Sequence, residues 1–165
     1  MRLSHGRPAG ALVALCLLAA CGSPAGSERG CTLIGGRTGI GLEIRPPLAA
    51  GVGRASMKVC HDGACRRFLL RLEPSTTTRP NGCTGEVCSG TAVRTGGLQG
   101  FTEVTGLPKK PVTVTVVLRD ASGDRVLNRT LTVTPKGVFP NGPHCGEAGV
   151  QTGVVAADGR LTEKA

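Results

Sequence analysis

The chain reads as all-β, and three observations carry that reading. Apolar and polar residues alternate in several short runs, Gly, Pro and Asp-Gly signals separate those runs, and no segment beyond the first twenty residues has a helical period with start and stop signals. The pattern predicts about seven short strands. Ile40, Leu42 and Ile44 alternate with Gly41, Glu43 and Arg45, and Pro46-Pro47 ends this first strand. Gly35, Gly36, Gly39 and Gly41 form neither a G-x-G-x-x-G nor a P-loop pattern, and are expected to make a turn entering the strand.

The next element is a hairpin. His61-Asp62-Gly63-Ala64 lies between Cys60 and Cys65, and Asp-Gly is the preferred pair for a two-residue type I′ turn because both central positions need positive φ. Such a turn sets Cys60 opposite Cys65 at a site where Cα atoms approach to about 4.5 Å, within disulfide reach. It also pairs Met57 with Phe68 and Ala55 with Leu70 on one face, which Val59 and Leu72 extend. Ser56, Lys58, Arg67, Leu69 and Arg71 then fall with the disulfide on a mostly polar outward face.

Glu73 to Gly97 reads as a long loop pinned by Cys83 and Cys88, a variable or functional surface. Phe101 to Leu107 is a weaker strand. Val112, Val114, Val116 and Leu118 alternate strictly, a polar stretch from Asp120 to Asp124 follows, and Leu127, Leu131 and Val133 resume the period. A two-residue Ser122-Gly123 turn sets Leu118 opposite Leu127, Val114 opposite Leu131 and Val112 opposite Val133, with only Arg129 interrupting that face. Val150 to Ala156 is a second weak strand.

The head of the chain has its own organisation. Arg2 and Arg7 precede an apolar run from Ala9 to Ala20, about a dozen residues and far short of the ~20 that span a bilayer. Leu17-Leu18-Ala19-Ala20-Cys21 follows at once. Leu18, Ala19, Ala20 and Cys21 resemble the lipobox of bacterial lipoproteins. The resemblance implies cleavage before Cys21, a diacylglyceryl group on its thiol, and a protein held by lipid at the extracytoplasmic face of the cell membrane. The organisation expected is a signal peptide at 1–20, lipidated Cys21 with a polar tether at 21–30, a β domain at 31–157 and a C-terminal tail at 158–165. Arg outnumbers Lys 15 to 5 and Gly, Ala and Pro abound, a usage that GC-rich codons favour and that suggests an actinomycete-like source.

Eight cysteines become six once Cys16 leaves with the signal and Cys21 takes lipid. In an oxidising compartment Cys31, Cys60, Cys65, Cys83, Cys88 and Cys145 read as three disulfides. Beside Cys60–Cys65, the equally spaced Cys83 and Cys88 most simply close on each other, which leaves Cys31 for Cys145. A loop that long is worth ~4.7 kcal/mol in the chain-entropy description.

Gly106-Leu107-Pro108 leading into the Val/Thr strand, with the Arg119-Asp120-x-x-Gly123 turn after it, resembles the final hairpins of immunoglobulin-like or transthyretin-like sandwiches. The likeness covers roughly Gly100 to Thr134 and implies a single disulfide-stapled, immunoglobulin-like β-sandwich. The chain departs from true immunoglobulin domains in having no Trp for a cysteine-tryptophan-cysteine core. Taken whole, it is similar to small actinobacterial lipoproteins with a Phe-Pro-Asn-Gly-Pro-x-Cys-Gly-like stretch, here Phe139 to Gly146, and that likeness implies no activity.

Catalytic inventory is thin. The mature chain has two histidines, His61 beside a turn and His144 before Cys145, and no Ser in a G-x-S-x-G context. Neither spacing of the close cysteine pairs is the Cys-x-x-Cys of a thiol-redox centre. Cys60-His61 and His144-Cys145 together offer a zinc or copper ligand set, so a metal-binding or thiol-redox lipoprotein using His61 and His144 is the alternative reading. Sugar or single-strand binding is disfavoured because Phe68, Phe101 and Phe139 are the only aromatic residues. Loss of Arg2 and Arg7 leaves 18 basic (20 − 2) against 11 acidic residues, a net charge of about +7 that draws the domain toward anionic surfaces. The sequence therefore predicts a non-enzymatic binding or structural envelope module with no cofactor and no nucleic acid. Its partners are the membrane, through the lipid, and an acidic envelope polymer or protein, through an open sheet edge, the Cys83–Cys88 loop, or a basic face of Lys58, Arg67 and Arg71.

Overall fold

The chain forms two β-sheets around one apolar core, and among the described residues the one helical segment is a 3-10 turn, Leu48–Gly51. The computed structural model describes residues 30–164, and those from Thr32 onward make one compact unit. The expected signal peptide, Cys21 and most of the expected tether lie outside the described residues. Ten strands are described rather than about seven: β1 (Gly39–Ile44), β2 (Arg54–His61), β3 (Ala64–Leu70), β4 (Glu73–Thr84), β5 (Val87–Glu103), β6 (Val112–Arg119), β7 (Arg125–Val133), β8 (Lys136–Val138), β9 (Gly149–Ala157) and β10 (Arg160–Glu163).

One sheet is four-stranded and antiparallel, in the order β3-β2-β6-β7. Its β2–β3 hairpin has the register that the Asp-Gly turn dictates, with Met57 opposite Phe68, Cys60 opposite Cys65 and His61 opposite Ala64. Asp62 and Gly63 both have positive φ, 48° and 76°, as a type I′ turn requires. In β6–β7 the expected pairs Leu118–Leu127, Val114–Leu131 and Val112–Val133 are present, but the connection differs. The Gly123 amide donates to the Asp120 carbonyl and the Asp120 amide to the Asp124 carbonyl, which makes a three-residue loop with Gly123 at φ 94°. A register shift between Leu118 and Arg119 takes up the extra residue, so the apolar face stays in phase.

The other sheet has the order β10-β9-β1-β5-β4, with β8 also paired to β9. β1 sits centrally, antiparallel to β5 and parallel to β9. Burial of that parallel pair accounts for the continuous apolar run Val154-Val155-Ala156. Arg160–Glu163, expected as part of a tail, pairs with β9 as β10, and Leu161 packs on the core. The expected loop at 73–97 is also corrected. Its residues are the arms of a long β4–β5 hairpin, with Cys83 facing Cys88 and Gly85 at φ 61° in the two-residue turn. Thr76 to Ala92 is exposed throughout, because only the base of this hairpin, from Leu98 onward, pairs with β1.

Both sheets supply the core. Ile40, Leu42, Ile44 and Val154 come from one and Met57, Val59, Val114, Val116 and Leu118 from the other, all at most 2% exposed. Near the C-terminal side, the Asn141 side chain accepts from the Ile34 amide at 3.1 Å and donates to its carbonyl at 2.9 Å. The Phe139 to Gly146 stretch thus tethers the segment leading into β1.

Candidate functional site: a basic cleft on the four-stranded sheet

The period-2 alternation that buries Met57 and Val59 necessarily turns Ser56 and Lys58 outward. Register then gathers cations there. Lys58 lies opposite Arg67 on β3, and Arg54 lies opposite Arg119 on β6. Arg125, paired with Arg119 beyond the bulge, lines the same cleft of about 520 Å³. No acidic side chain lines it; Ser56, Thr115 and Asn128 add polar groups, and Leu69 and Val117 apolar ones. Among the described residues none of these five cations forms an ion pair with a carboxylate. The Arg119 guanidinium is held at the turn by donating to the Gly123 carbonyl at 2.6 Å.

Like charges ~6 Å apart in water repel by ~0.7 kcal/mol, so a cluster without carboxylates is electrostatically unfavourable until an anion joins it. Neighbouring strands stand about 4.8 Å apart and alternate residues on a strand about 6.7 Å, a spacing on which successive phosphate or carboxylate groups of a polyanion fit. Arginine's planar fork adds bidentate contacts to either group.

Arg71, expected on this face, is not part of it. β3 ends at Leu70, and the chain crosses to the other sheet, passing over Gly100, where an added Cβ would lie 3.0 Å from the Arg71 carbonyl. The alternation therefore stops, and Arg71 pairs with Glu73 at 3.5 Å beside a second cleft, on the outward face of the five-strand path. That cleft, about 610 Å³, is internally neutralised. Arg45 and Lys164 bind Glu43 at 2.8 and 2.9 Å and hold its carboxyl below the usual range, and Arg37 pairs with Glu103 while stacking over Phe101 at 4.2 Å.

His61 and His144 are not brought into a recognisable metal centre. Cys60 and Cys65 are joined to each other, with Cα atoms 4.1 Å apart, so neither sulfur is a thiolate ligand. Cys83 and Cys88 are joined likewise, and Cys31 and Cys145 are both disulfide-bonded. His61 Nδ1 lies 3.3 Å from Asp62 Oδ2 within its own turn, and His144 is exposed. Among the described residues no cluster of three or more His, Cys, Asp or Glu could hold a metal ion.

Sequence reasoning missed Arg54, Arg119 and Arg125. All three flank strand ends, and the β2–β6 pairing that joins Arg54 to Arg119 and its hairpin partner Arg125 links residues far apart in the chain. Comparison with known proteins finds no matching family, no similar curated protein and no similar solved structure.

Proposed function

We propose that this is a non-enzymatic, lipid-anchored lipoprotein of an extracytoplasmic envelope, which binds a phosphate- or carboxylate-rich partner through the basic cleft. The observation that carries the reading is the cluster of Arg54, Lys58, Arg67, Arg119 and Arg125 on one sheet face without a carboxylate partner. Export is supported by the Leu18-Ala19-Ala20-Cys21 pattern and by disulfide-bonded cysteines, which persist in oxidising compartments. Among the described residues no helix is long and apolar enough to cross a membrane; the lipid anchor proposed on Cys21 is supported by the lipobox-like pattern before it. An actinomycete-type origin is supported by the codon-linked composition and by the Phe139 to Gly146 likeness.

Strand order bears on the finer fold. The immunoglobulin arrangement divides strands B and C, and likewise E and F, between opposite sheets, whereas β2–β3 and β6–β7 each stay within one sheet here. That favours the transthyretin-like side of the resemblance.

Calorimetric titration with long-chain inorganic polyphosphate tests the reading. Binding should weaken steeply with salt, as counterion release demands. Arg54→Ala, Lys58→Ala and Arg67→Ala combined should weaken it roughly tenfold or more, at ~0.5 kcal/mol per surface contact. Binding that ignores both salt and these substitutions would refute it.

A further inference from the structure

We infer that the basic cleft docks on the surface of an anionic phospholipid bilayer, with Leu69 entering the headgroup layer. The inference rests on the reading of that cleft as an anion site and names its occupant. Leu69 is 87% exposed, on the outward face of a strand whose next residue, Leu70, is buried. It stands opposite Ser56 on the outward face, two residues along the same strand from Arg67, and lines the cleft with the five cations. A soluble polyanion needs the cations alone and draws nothing from a protruding isobutyl group. A bilayer surface uses both, since phosphates meet the guanidinium groups while an apolar side chain between them enters the interface.

Edge placement suits the same occupant. β3 is an edge strand of the four-stranded sheet, so Leu69 lies at the border of the basic face. The other large exposed apolar residues, Leu33, Ile34, Val87 and Phe139 among them, line none of the described clefts. The opposite cleft is excluded because Glu43, Glu73 and Glu103 neutralise its cations and would face the lipid phosphates.

The test uses the chain from Gly22 onward, which retains all ten strands and the whole core cluster but not the signal segment or Cys21. Circular dichroism checks that each variant is folded. Co-sedimentation is measured with vesicles of phosphatidylglycerol mixed with phosphatidylcholine, with vesicles of phosphatidylcholine alone, and in parallel with polyphosphate binding. The expected result is binding to the anionic vesicles only. Arg54→Ala, Lys58→Ala and Arg67→Ala together should reduce it about a hundredfold, at ~1 kcal/mol per basic group. Leu69→Ser should reduce vesicle binding roughly tenfold, a larger loss than it causes in polyphosphate binding. Polyphosphate binding without vesicle binding, or vesicle binding indifferent to Leu69→Ser, would overturn the inference while the anion-site reading stands. Failure to bind either probe would overturn both.

Discussion

Gly39 and Gly41 sit on the same face of β1, two residues apart, and their replacement by alanine should have opposite effects on stability. At Gly39 a Cβ would lie 2.1 Å from the Thr102 carbonyl oxygen and 2.8 Å from the Phe101 ring. The carbonyl belongs to the backbone of β5, whose register against β1 is fixed on both sides, so no side-chain rotation relieves the clash. Overpacking of this kind costs ~1–3 kcal/mol. At Gly41 the nearest atoms are 4.0 Å away, which is ordinary contact. There the strand gains ~0.5–1 kcal/mol because alanine loses less backbone entropy than glycine on folding. The two variants should therefore differ by ~1.5–4 kcal/mol in urea unfolding, or roughly 10 °C in Tm for a domain of this size. Equal stability of the two variants, or a more stable Gly39→Ala, would show that β5 does not approach β1 as described.

Other consequences can be checked on the same protein. Arg71→Ala should leave polyphosphate affinity unchanged while Arg67→Ala lowers it a fewfold in the same calorimetric titration, since only Arg67 lines the basic cleft. Glu43 is ionised more readily in the folded state because Arg45 and Lys164 bond it, so its contribution to stability is present above its ordinary value of 4.5 and fades as pH falls through the lower folded value. The stability difference between wild type and Glu43→Gln should thus be larger at neutral pH than in strong acid, as read by urea unfolding across pH. Replacing Cys60 and Cys65 together by Ser should cost ~2 kcal/mol for so short a loop, without loss of the hairpin, because the Asp62-Gly63 turn and the Met57–Phe68 pair hold its register. Shortening the exposed β4–β5 hairpin beyond Thr78 and Ala92 should change Tm by no more than a few degrees, because those residues add nothing to the core.

Where information was local, the sequence was legible. Asp62-Gly63 specifies its turn through backbone conformation alone, and with the turn set, pleat alternation determines which side chains face the core. The β6–β7 face could be read for the same reason, even though the loop between the strands holds one residue more than expected. The Glu73–Gly97 segment was not legible as strands because Thr, Gly and Pro on two solvent-facing sides leave no hydrophobic period. β10 was missed because it is four residues long and contributes one apolar residue, Leu161. Two of the five cations of the basic cleft were visible in the hairpin bearing Lys58 and Arg67. Arg119 and Arg125 meet in the β6–β7 hairpin, but their union with Arg54 and Lys58 depends on the pairing of β2 with β6, which joins strands about sixty residues apart and leaves no local pattern.

Backbone amide chemical shifts followed during titration with polyphosphate test the central claim most directly. The account predicts shifts concentrated at Ser56, Lys58, Arg67, Thr115 and Asn128 on the four-stranded sheet, with Gln99, Gly153 and Lys164 across the molecule unmoved. Shifts centred on the second group, or none at saturating polyphosphate, would contradict it.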